Sequence, residues 1–479
     1  METSFFNVKV PLKHGESLVY NSATQQLLRL NPLELAKLNT CQFDSIYDPL
    51  LLMLRSKGMV CESAPKQYQH LINSDLADKK IFSRSMSLTL MMTEGCNFSC
   101  SYCNQGLDKD PKKIDQSTVS KVLSYVSRHE DLRKLHISWY GGEPLLAFKE
   151  IVEFSTQFKG FCKAQKIYYS SSVLSNGYLL SPEKAQKLLD AGVKNAQISM
   201  DGYVDSHDSS RFPSKHTGSY NKILDNVKDV LAATSMNIVV RVNVSKRNID
   251  GIPKLVEDIS RREIPCERFS MYFALVYDPS NSQLEDAGDV GTDIISEYQE
   301  YADAELSFLR CLDSHHIKAA LDIDEHMGDC LVTRHNSFAI NPYGDLFKCY
   351  IPISNPTFKL GDVSDFDAAK ESDTFRKWNS WTAFNDEYCK KCRLVGSCRG
   401  GCPLHFVSKP HEDMGMHCPT SKLCFNEHLF RRAINNGLVS KDDWDETLSP
   451  TKLSSLSFEY PSDCIQVPDL VSLKGVKPT

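Results

Sequence analysis

A chain of 479 residues with 41% hydrophobic, 24% charged and 10% aromatic side chains is long enough for about three domains with cores of their own, and this composition excludes a disordered, collagenous or membrane-embedded protein. The 61 acidic and 55 basic residues leave a net charge of -6, so neither nucleic acid nor a membrane is an expected partner. No apolar run approaches the ~20 residues of a bilayer span and no secretory pattern opens the chain, which makes the cytoplasm the expected location and reduced thiols the expected state of its 17 cysteines.

In chain order, short strands over residues 6–10 and 17–20 precede helices over 32–38 and 46–57, the latter stopped by Gly58. This unit reads as a small, self-contained winged-helix-like domain or as a simple cap on the next domain, and the polar stretch 63–80 reads as a linker, so that residues 1–80 form the first unit. From Ser85, strands over 87–92, 135–139, 168–174, 196–200, 238–244 and 269–275 alternate with amphipathic helices. Val119, Val122, Leu123 and Val126 recur at helical spacing, Ser181-Pro182 opens a helix that Gly192 closes, and Ser219 precedes Ile223, Val227, Val230 and Leu231. This α/β pattern over residues 81–315 implies a parallel sheet, either a TIM-like partial (β/α)6 barrel or a doubly wound sheet, with ligands at the strand C-termini in both cases. A helix over 293–312 ends it. Glycine, proline and seven grouped cysteines then mark residues 316–436 as a metal-stapled domain, and the tail 437–479 carries no assigned site.

Thr93-Glu94-Gly95-Cys96-Asn97-Phe98-Ser99-Cys100-Ser101-Tyr102-Cys103 places three thiols on one loop just after the first strand of the sheet. Three thiolates can hold three corners of a [4Fe-4S] cluster and leave one iron for a chelating small molecule, whereas structural zinc needs a fourth donor nearby and plain packing needs no such tight spacing. The loop, with Tyr102 directly before the third cysteine, resembles the signature of the radical S-adenosylmethionine (SAM) superfamily. Gly141, Gly142, Glu143 and Pro144, at the end of the second strand, are similar to the GGEP motif that holds the SAM amino group, with bare glycines for close backbone approach to the ligand. Ser175 and Asn176 end the third strand, and Ser199 and Asp201 end the fourth, where related enzymes place polar groups on the ribose and methionine. Arg211, Arg241 and Asn243 resemble family positions that face the methionine carboxylate or support the site, and Tyr102 is similar to the residue packed on adenine. The resemblance implies SAM as cofactor, with Cys96, Cys100 and Cys103 as cluster ligands.

The later order, Cys330-x13-Gly344-x4-Cys349, then Cys389-x2-Cys392-x5-Cys398-x3-Cys402 and Cys418, resembles the SPASM domain of enzymes that modify peptides and proteins. By that resemblance Cys389, Cys392, Cys398 and Cys418 ligate an outer auxiliary [4Fe-4S] cluster, and Cys330, Cys349 and Cys402 an inner one. The inner cluster lacks a fourth cysteine, which leaves an open iron or a ligand such as His335 or a substrate atom. A zinc ribbon is the other reading of the Cys-x2-Cys pair.

The resemblance implies an enzyme that cleaves SAM to a 5'-deoxyadenosyl radical, takes a hydrogen from a ribosomally made precursor peptide and closes a thioether, ether or carbon-carbon crosslink, and within that group it is compatible with the darobactin-type maturases that build cyclophane or aryl-ether links. The leader of the precursor would be held by the N-terminal unit, and a flavodoxin or ferredoxin would supply electrons. Two other readings stand beside it. An anaerobic sulfatase-maturing enzyme carries an Asp directly after the cysteine equivalent to Cys349, where this chain has Tyr350. A non-catalytic metal-cluster scaffold would have no use for the GGEP motif.

Overall fold

Short runs of β-branched and aromatic residues, separated by tight turns, fold back on one another at the N-terminus. After β1 (Glu2–Thr3), the strands β2 (Asn7–Pro11), β3 (Ser17–Asn21) and β4 (Gln26–Leu30) form an antiparallel sheet in that order, with Val8 opposite Tyr20 and Val19 opposite Leu28. Helices α1 (Pro32–Thr40) and α2 (Pro49–Ser56) are capped by Asn31 and Asp48 and carry a proline in the first turn, and β5 (Val60–Cys61) returns to pair with β1. The computed structural model describes residues 1–77, 84–100, 102–103, 105, 110–213, 217–276, 298–320, 330–408, 418–444, 447, 451 and 453–468.

Val19 and Leu30 pack on Leu38, Leu51 and Leu54 of these helices. Val8, Val10, Leu18 and Tyr20 face the other way, onto Cys392, Leu394, Cys398 and the helix Phe425–Asn435. The N-terminal unit is therefore not self-contained, since one apolar side of its sheet finds its partner in the cysteine-rich region. The stretch 63–80 is likewise not a plain linker: it contains the helix α3 (Ala64–Leu76), while residues 78–80 lie outside the described ones. Tyr68, Leu71, Ile72 and Leu76 recur on one face of α3, and this single stripe is enough to dock an otherwise polar helix. Tyr68 is fully buried, stacks on Phe6 with ring centroids 5.1 Å apart, and donates its hydroxyl to the Lys390 carbonyl at 3.0 Å.

Six strands then alternate with helices: β6 (Ser85–Met91), α4 (Gln116–Ser127), β7 (Lys134–Tyr140), α5 (Phe148–Ala164), β8 (Tyr168–Ser175), α6 (Pro182–Asp190), β9 (Val193–Met200), α7 (Val204–Ser210), α8 (Tyr220–Ala233), β10 (Asn237–Val244), α9 (Ile252–Arg261), β11 (Phe269–Leu275) and α10 (Tyr298–Ser314). Of the helix expected over 293–312, residues 293–297 lie outside the described ones. β6 to β11 pair in parallel in sequence order. A doubly wound sheet reverses direction at a switch point; this order winds one way, as a barrel wall does. β12 (Lys318–Ala319) extends one edge, and at the other β13 (Phe338–Ile340) joins β6, followed by antiparallel β14 (Asp345–Phe347) and β15 (Gly361–Asp362), for ten strands in all. The sheet thus runs on into a segment whose composition suggests a separate domain, because Phe338, Ala339 and Ile340 offer a fully buried apolar strand to the edge of β6.

The period of two divides the wall into unlike faces. Leu135, Ile137, Trp139, Ala196, Ile198, Val240, Val242 and Met271 are fully buried in the core that the flanking helices share. Their alternates His136, Ser138, Tyr140, Ser170, Ser172, Gln197, Ser199, Arg241 and Tyr272 are half-buried, and line the opposite face with polar groups. There His136 Nδ1 lies 2.8 Å from Ser170 Oγ, and its Nε2 lies 3.1 Å from Ser138 Oγ and 3.2 Å from Ser172 Oγ. Among the described residues no helix is long and apolar enough to cross a membrane.

Removing residues 6–62 would strip the cover from Leu394, Phe425 and Leu429 beside Cys392 and Cys398. The truncated protein is expected to precipitate, or to bind less iron than the full chain after anaerobic reconstitution, as read by iron analysis. Full iron loading and an unchanged melting temperature would show that this packing is dispensable.

Candidate active site at the strand ends

The cysteine loop leaves the C-terminal end of β6 and is held on three sides. The Phe98 amide donates to Cys96 Sγ at 3.4 Å, the Cys103 amide to the Cys100 carbonyl at 3.3 Å, and the Ser99 amide to the Phe212 carbonyl at 3.0 Å. Phe98 is buried and meets Tyr178 edge-on at 5.6 Å. Burial pushes the Cys100 thiol up to about 11, with Arg211 pulling the other way.

The turn after β7 docks directly on this loop. The Gly142 amide donates to the Thr93 carbonyl and the Glu143 amide to the Gly95 carbonyl, both at 2.9 Å. A Cβ on Gly142 would sit 2.3 Å from the Glu94 carbonyl oxygen and 2.4 Å from that of Gly95, and one on Gly141, whose φ is 154°, would sit 2.5 Å from that of Thr93. What lies against the bare glycines is thus the backbone of the cysteine loop, where the motif's resemblance implies a ligand. Pro144 starts the short turn Pro144–Ala147 beneath them. Glu143 is fully buried and accepts from the Leu145 amide at 3.0 Å and Ser175 Oγ at 2.8 Å on Oε1, and from the Asn176 amide at 2.8 Å on Oε2. Burial nevertheless raises its pKa against these donors. Asn176 Nδ2 reaches on to Asn97 Oδ1 at 2.8 Å, which ties the end of β8 to the cysteine loop.

Tyr102, Asp201, Arg211 and Asn243 form one buried group. Tyr102 Oη accepts from Arg211 Nη1 at 2.8 Å and from Asn243 Nδ2 at 3.2 Å, and Asn243 Nδ2 also donates to Asp201 Oδ1 at 3.1 Å. Arg211 Nη1 lies 3.9 Å from Asp201 Oδ1. Burial drives the Tyr102 phenol well above its usual range; burial opposes the Arg211 charge, but Tyr102, Cys100 and Asp201 more than offset it and keep the guanidinium charged. Ser199 pairs with Arg241 across β9 and β10. Arg241 stands apart from the group: its charge acts on Tyr140, Tyr272 and Tyr350.

Several supporting groups were not legible as motifs. His207, six residues past Asp201 and fully buried, accepts from the Asp201 amide through Nδ1 at 3.2 Å, and burial with Arg211 nearby keeps its ring neutral. Gln105 Nε2 donates to the Gly141 carbonyl at 3.1 Å. Lys422 Nζ donates to Cys418 Sγ at 3.3 Å. Only contact in the folded chain reveals these.

The later cysteines gather into two groups. Cys330 and Cys402 lie close enough to Cys349 to raise its pKa further after burial has done most of the work. Burial raises Cys389 and Cys398 most; Asp386 and then Cys398 and Cys418 add to the rise at Cys389, and Cys392 and Cys418 add to it at Cys398 against the opposing charge of Lys422. The charge of Lys422, although disfavoured by burial, is supported by Cys392, Cys418 and Cys398 together. His335 sets its ring edge-on to Phe375 at 5.2 Å. Tyr140, at the end of β7, feels both Cys103 and Cys349, and its ring meets Tyr350 edge-on at 5.1 Å. The end of β7 thus touches both the cysteine loop, through Gly142 and Thr93, and the residue after Cys349.

Residues 90–259 match the model of the radical SAM superfamily. The chain is 27% identical over 175 residues to the sporulation killing factor maturation protein SkfB of Bacillus subtilis (strain 168), a match covering 36% of this chain and 39% of that protein. It is 22% identical over 390 residues to the PqqA peptide cyclase of Bradyrhizobium diazoefficiens, covering 76% of this chain and 93% of that one. It spans less than half the length of the first curated relatives it matches. Two solved structures share its fold: anSMEcpe with bound AdoMet, with a TM-score of 0.56 and 17% identity over 73% of this chain and 97% of that one, and Streptococcus suis SuiB bound to precursor peptide SuiA, with a TM-score of 0.51 and 12% identity over 85% and 97%.

Gly142→Ala is expected to displace Glu94 and Gly95 at a cost of about 1–3 kcal/mol and to weaken SAM binding by roughly 10- to 100-fold, measured by equilibrium dialysis on iron-loaded protein. Wild-type affinity would detach the turn from the site. Residues 90–259 are a radical SAM domain, in a chain whose relatives include a peptide cyclase and a killing-factor maturation protein.

Proposed function

We propose that this protein is a radical SAM enzyme that matures a ribosomally made precursor peptide by closing a crosslink between side chains. The observation that carries the reading is the contact between the end of β7, on which the first cysteine loop docks, and the residue after Cys349: the Tyr140 and Tyr350 rings meet edge-on at 5.1 Å, beside a wall lined by serines, Gln197, Arg241 and Tyr272. A peptide segment entering there meets polar groups on every strand. Loaded with [4Fe-4S] clusters at Cys96/Cys100/Cys103, at Cys330/Cys349/Cys402 and at Cys389/Cys392/Cys398/Cys418, the protein would gain a 5'-deoxyadenosyl radical from SAM at the first site and electron acceptors at the other two.

The surrounding residues suit that role. Glu143 has three donors on its two oxygens, and a buried carboxyl with a raised pKa is stabilised by an arriving ammonium. Asp201 offers an acceptor to a ribose or an amino acid, while Tyr102, Arg211, Asn243 and His207 position it. Tyr350 replaces the carboxylate expected of a sulfatase-maturing enzyme, and burial keeps its phenol protonated, so the base for that reaction is missing.

The N-terminal sheet supports a leader-binding role. β2 is an edge strand, and beside it lies a cleft of about 710 Å3 lined by Ser4, Phe5, Asn7, Lys9 and Arg393. An extended leader can add to such an edge, and the two cations favour one with acidic residues.

Cys96→Ala, Cys100→Ala and Cys103→Ala are each expected to abolish 5'-deoxyadenosine formation, followed by chromatography under anaerobic reduction. Co-expression with the precursor should lower the peptide mass by two hydrogens per crosslink. SAM cleavage with an unchanged peptide mass would defeat the crosslinking assignment, and no cleavage by fully iron-loaded protein would favour a scaffold. Lys9→Glu should weaken leader binding by roughly 10-fold, as seen by fluorescence anisotropy, without changing uncoupled SAM cleavage.

A further inference from the structure

A third kind of cysteine lies outside both groups. Cys424 precedes the helix Phe425–Asn435, and His428 lies one turn further along the same face. Glu305, in the middle of α10, reaches the same point from the barrel side. All three are almost fully buried, at 1%, 5% and 3% exposure. One ligand atom from each, Sγ, a ring nitrogen and a carboxylate oxygen, lies within 4.8 Å of the other two, and His428 Nε2 is 3.9 Å from Glu305 Oε1.

A buried histidine-glutamate pair needs no thiol beside it, yet here a thiol, an imidazole and a carboxylate converge on one point. Ala302, Leu306 and Leu423 close the surroundings. Glu427, the other buried carboxylate nearby, is engaged by Arg310 through two bonds of 2.8 and 2.6 Å. Glu305, Glu427 and exposed Asp303 all act on Cys424, so the pocket is rich in anions. The two positive charges of a divalent cation balance one thiolate and one carboxylate, and the mixture of sulfur, imidazole and oxygen is that preferred by zinc over magnesium or calcium.

We propose that Glu305, Cys424 and His428 bind a zinc ion, with a water completing the tetrahedron. Binding releases the thiol proton and draws the three atoms slightly closer than they stand. The ion would join α10, the last helix of the parallel wall, to the segment that carries Cys418, Lys422 and the helix under the N-terminal sheet. It acts as a brace between the two halves, whichever peptide the enzyme takes.

The test uses full-length protein, first loaded anaerobically with iron and sulfide, then exposed to zinc chloride and desalted. About one zinc per chain should remain, with a zinc-edge X-ray absorption spectrum showing a single sulfur at ~2.3 Å and nitrogen or oxygen at ~2.0–2.2 Å. Glu305→Gln and His428→Gln should each lower retained zinc by roughly 10-fold or more with iron unchanged, and Cys424→Ser should remove the sulfur shell. A shell of four sulfurs would place the zinc in an unfilled cluster site. That result, zinc undiminished in the variants, or none retained by the iron-loaded wild type would each overturn the proposal, and the wild-type spectrum decides even if a variant fails to fold.

Discussion

The site depends on a contact between two backbones. Gly141 and Gly142 allow the turn after β7 to lie against Thr93 to Gly95 at a distance that excludes a Cβ, and two amide-carbonyl bonds of 2.9 Å fix the approach. Because the turn and the cysteine loop come from adjacent parallel strands, this contact sets where Cys96, Cys100 and Cys103 stand relative to Glu143. The bond from Asn176 to Asn97 extends the same restraint to the third strand. Strand ends, otherwise free to vary as loops, are here made rigid by one another.

Around this contact the polar groups divide between binding and support. Glu143 is held by donors from its own turn and from the end of β8, whereas Arg211 gives its charge to Tyr102 and Asp201 within a buried network. Arg241 lies among tyrosines that reach toward Cys349. The wall is apolar on the side that packs against helices and polar on the other, which makes the polar side unsuited to be a dry core.

The N-terminal sheet and the cysteine-rich segment share one core, with Tyr20 tilted against Phe425 at 5.6 Å and Tyr68 held between Phe6 and Phe384. Any partner bound at the edge of β2 is therefore mechanically connected to the region of Cys389, Cys392 and Cys398. Helix α3 supplies much of that connection, although its sequence is polar enough to pass for a tether.

Local pattern by itself determined the six parallel strands, because alternation at period two and capped amphipathic helices are properties of short segments that the tertiary fold only confirms. The first cysteine loop and the GGEP-like turn were legible for the same reason, each being a run of a few residues with fixed spacing. The direction of winding, the joining of β13 to β6, the docking of α3 and the second face of the N-terminal sheet were decided by the tertiary structure, since each matches apolar surfaces far apart in the chain. So were the roles of His207, Lys422 and the glycines, and the meeting of Glu305 with Cys424 and His428. These rest on what a side chain or a bare Cα touches in space, and spacing along the sequence carries no record of that.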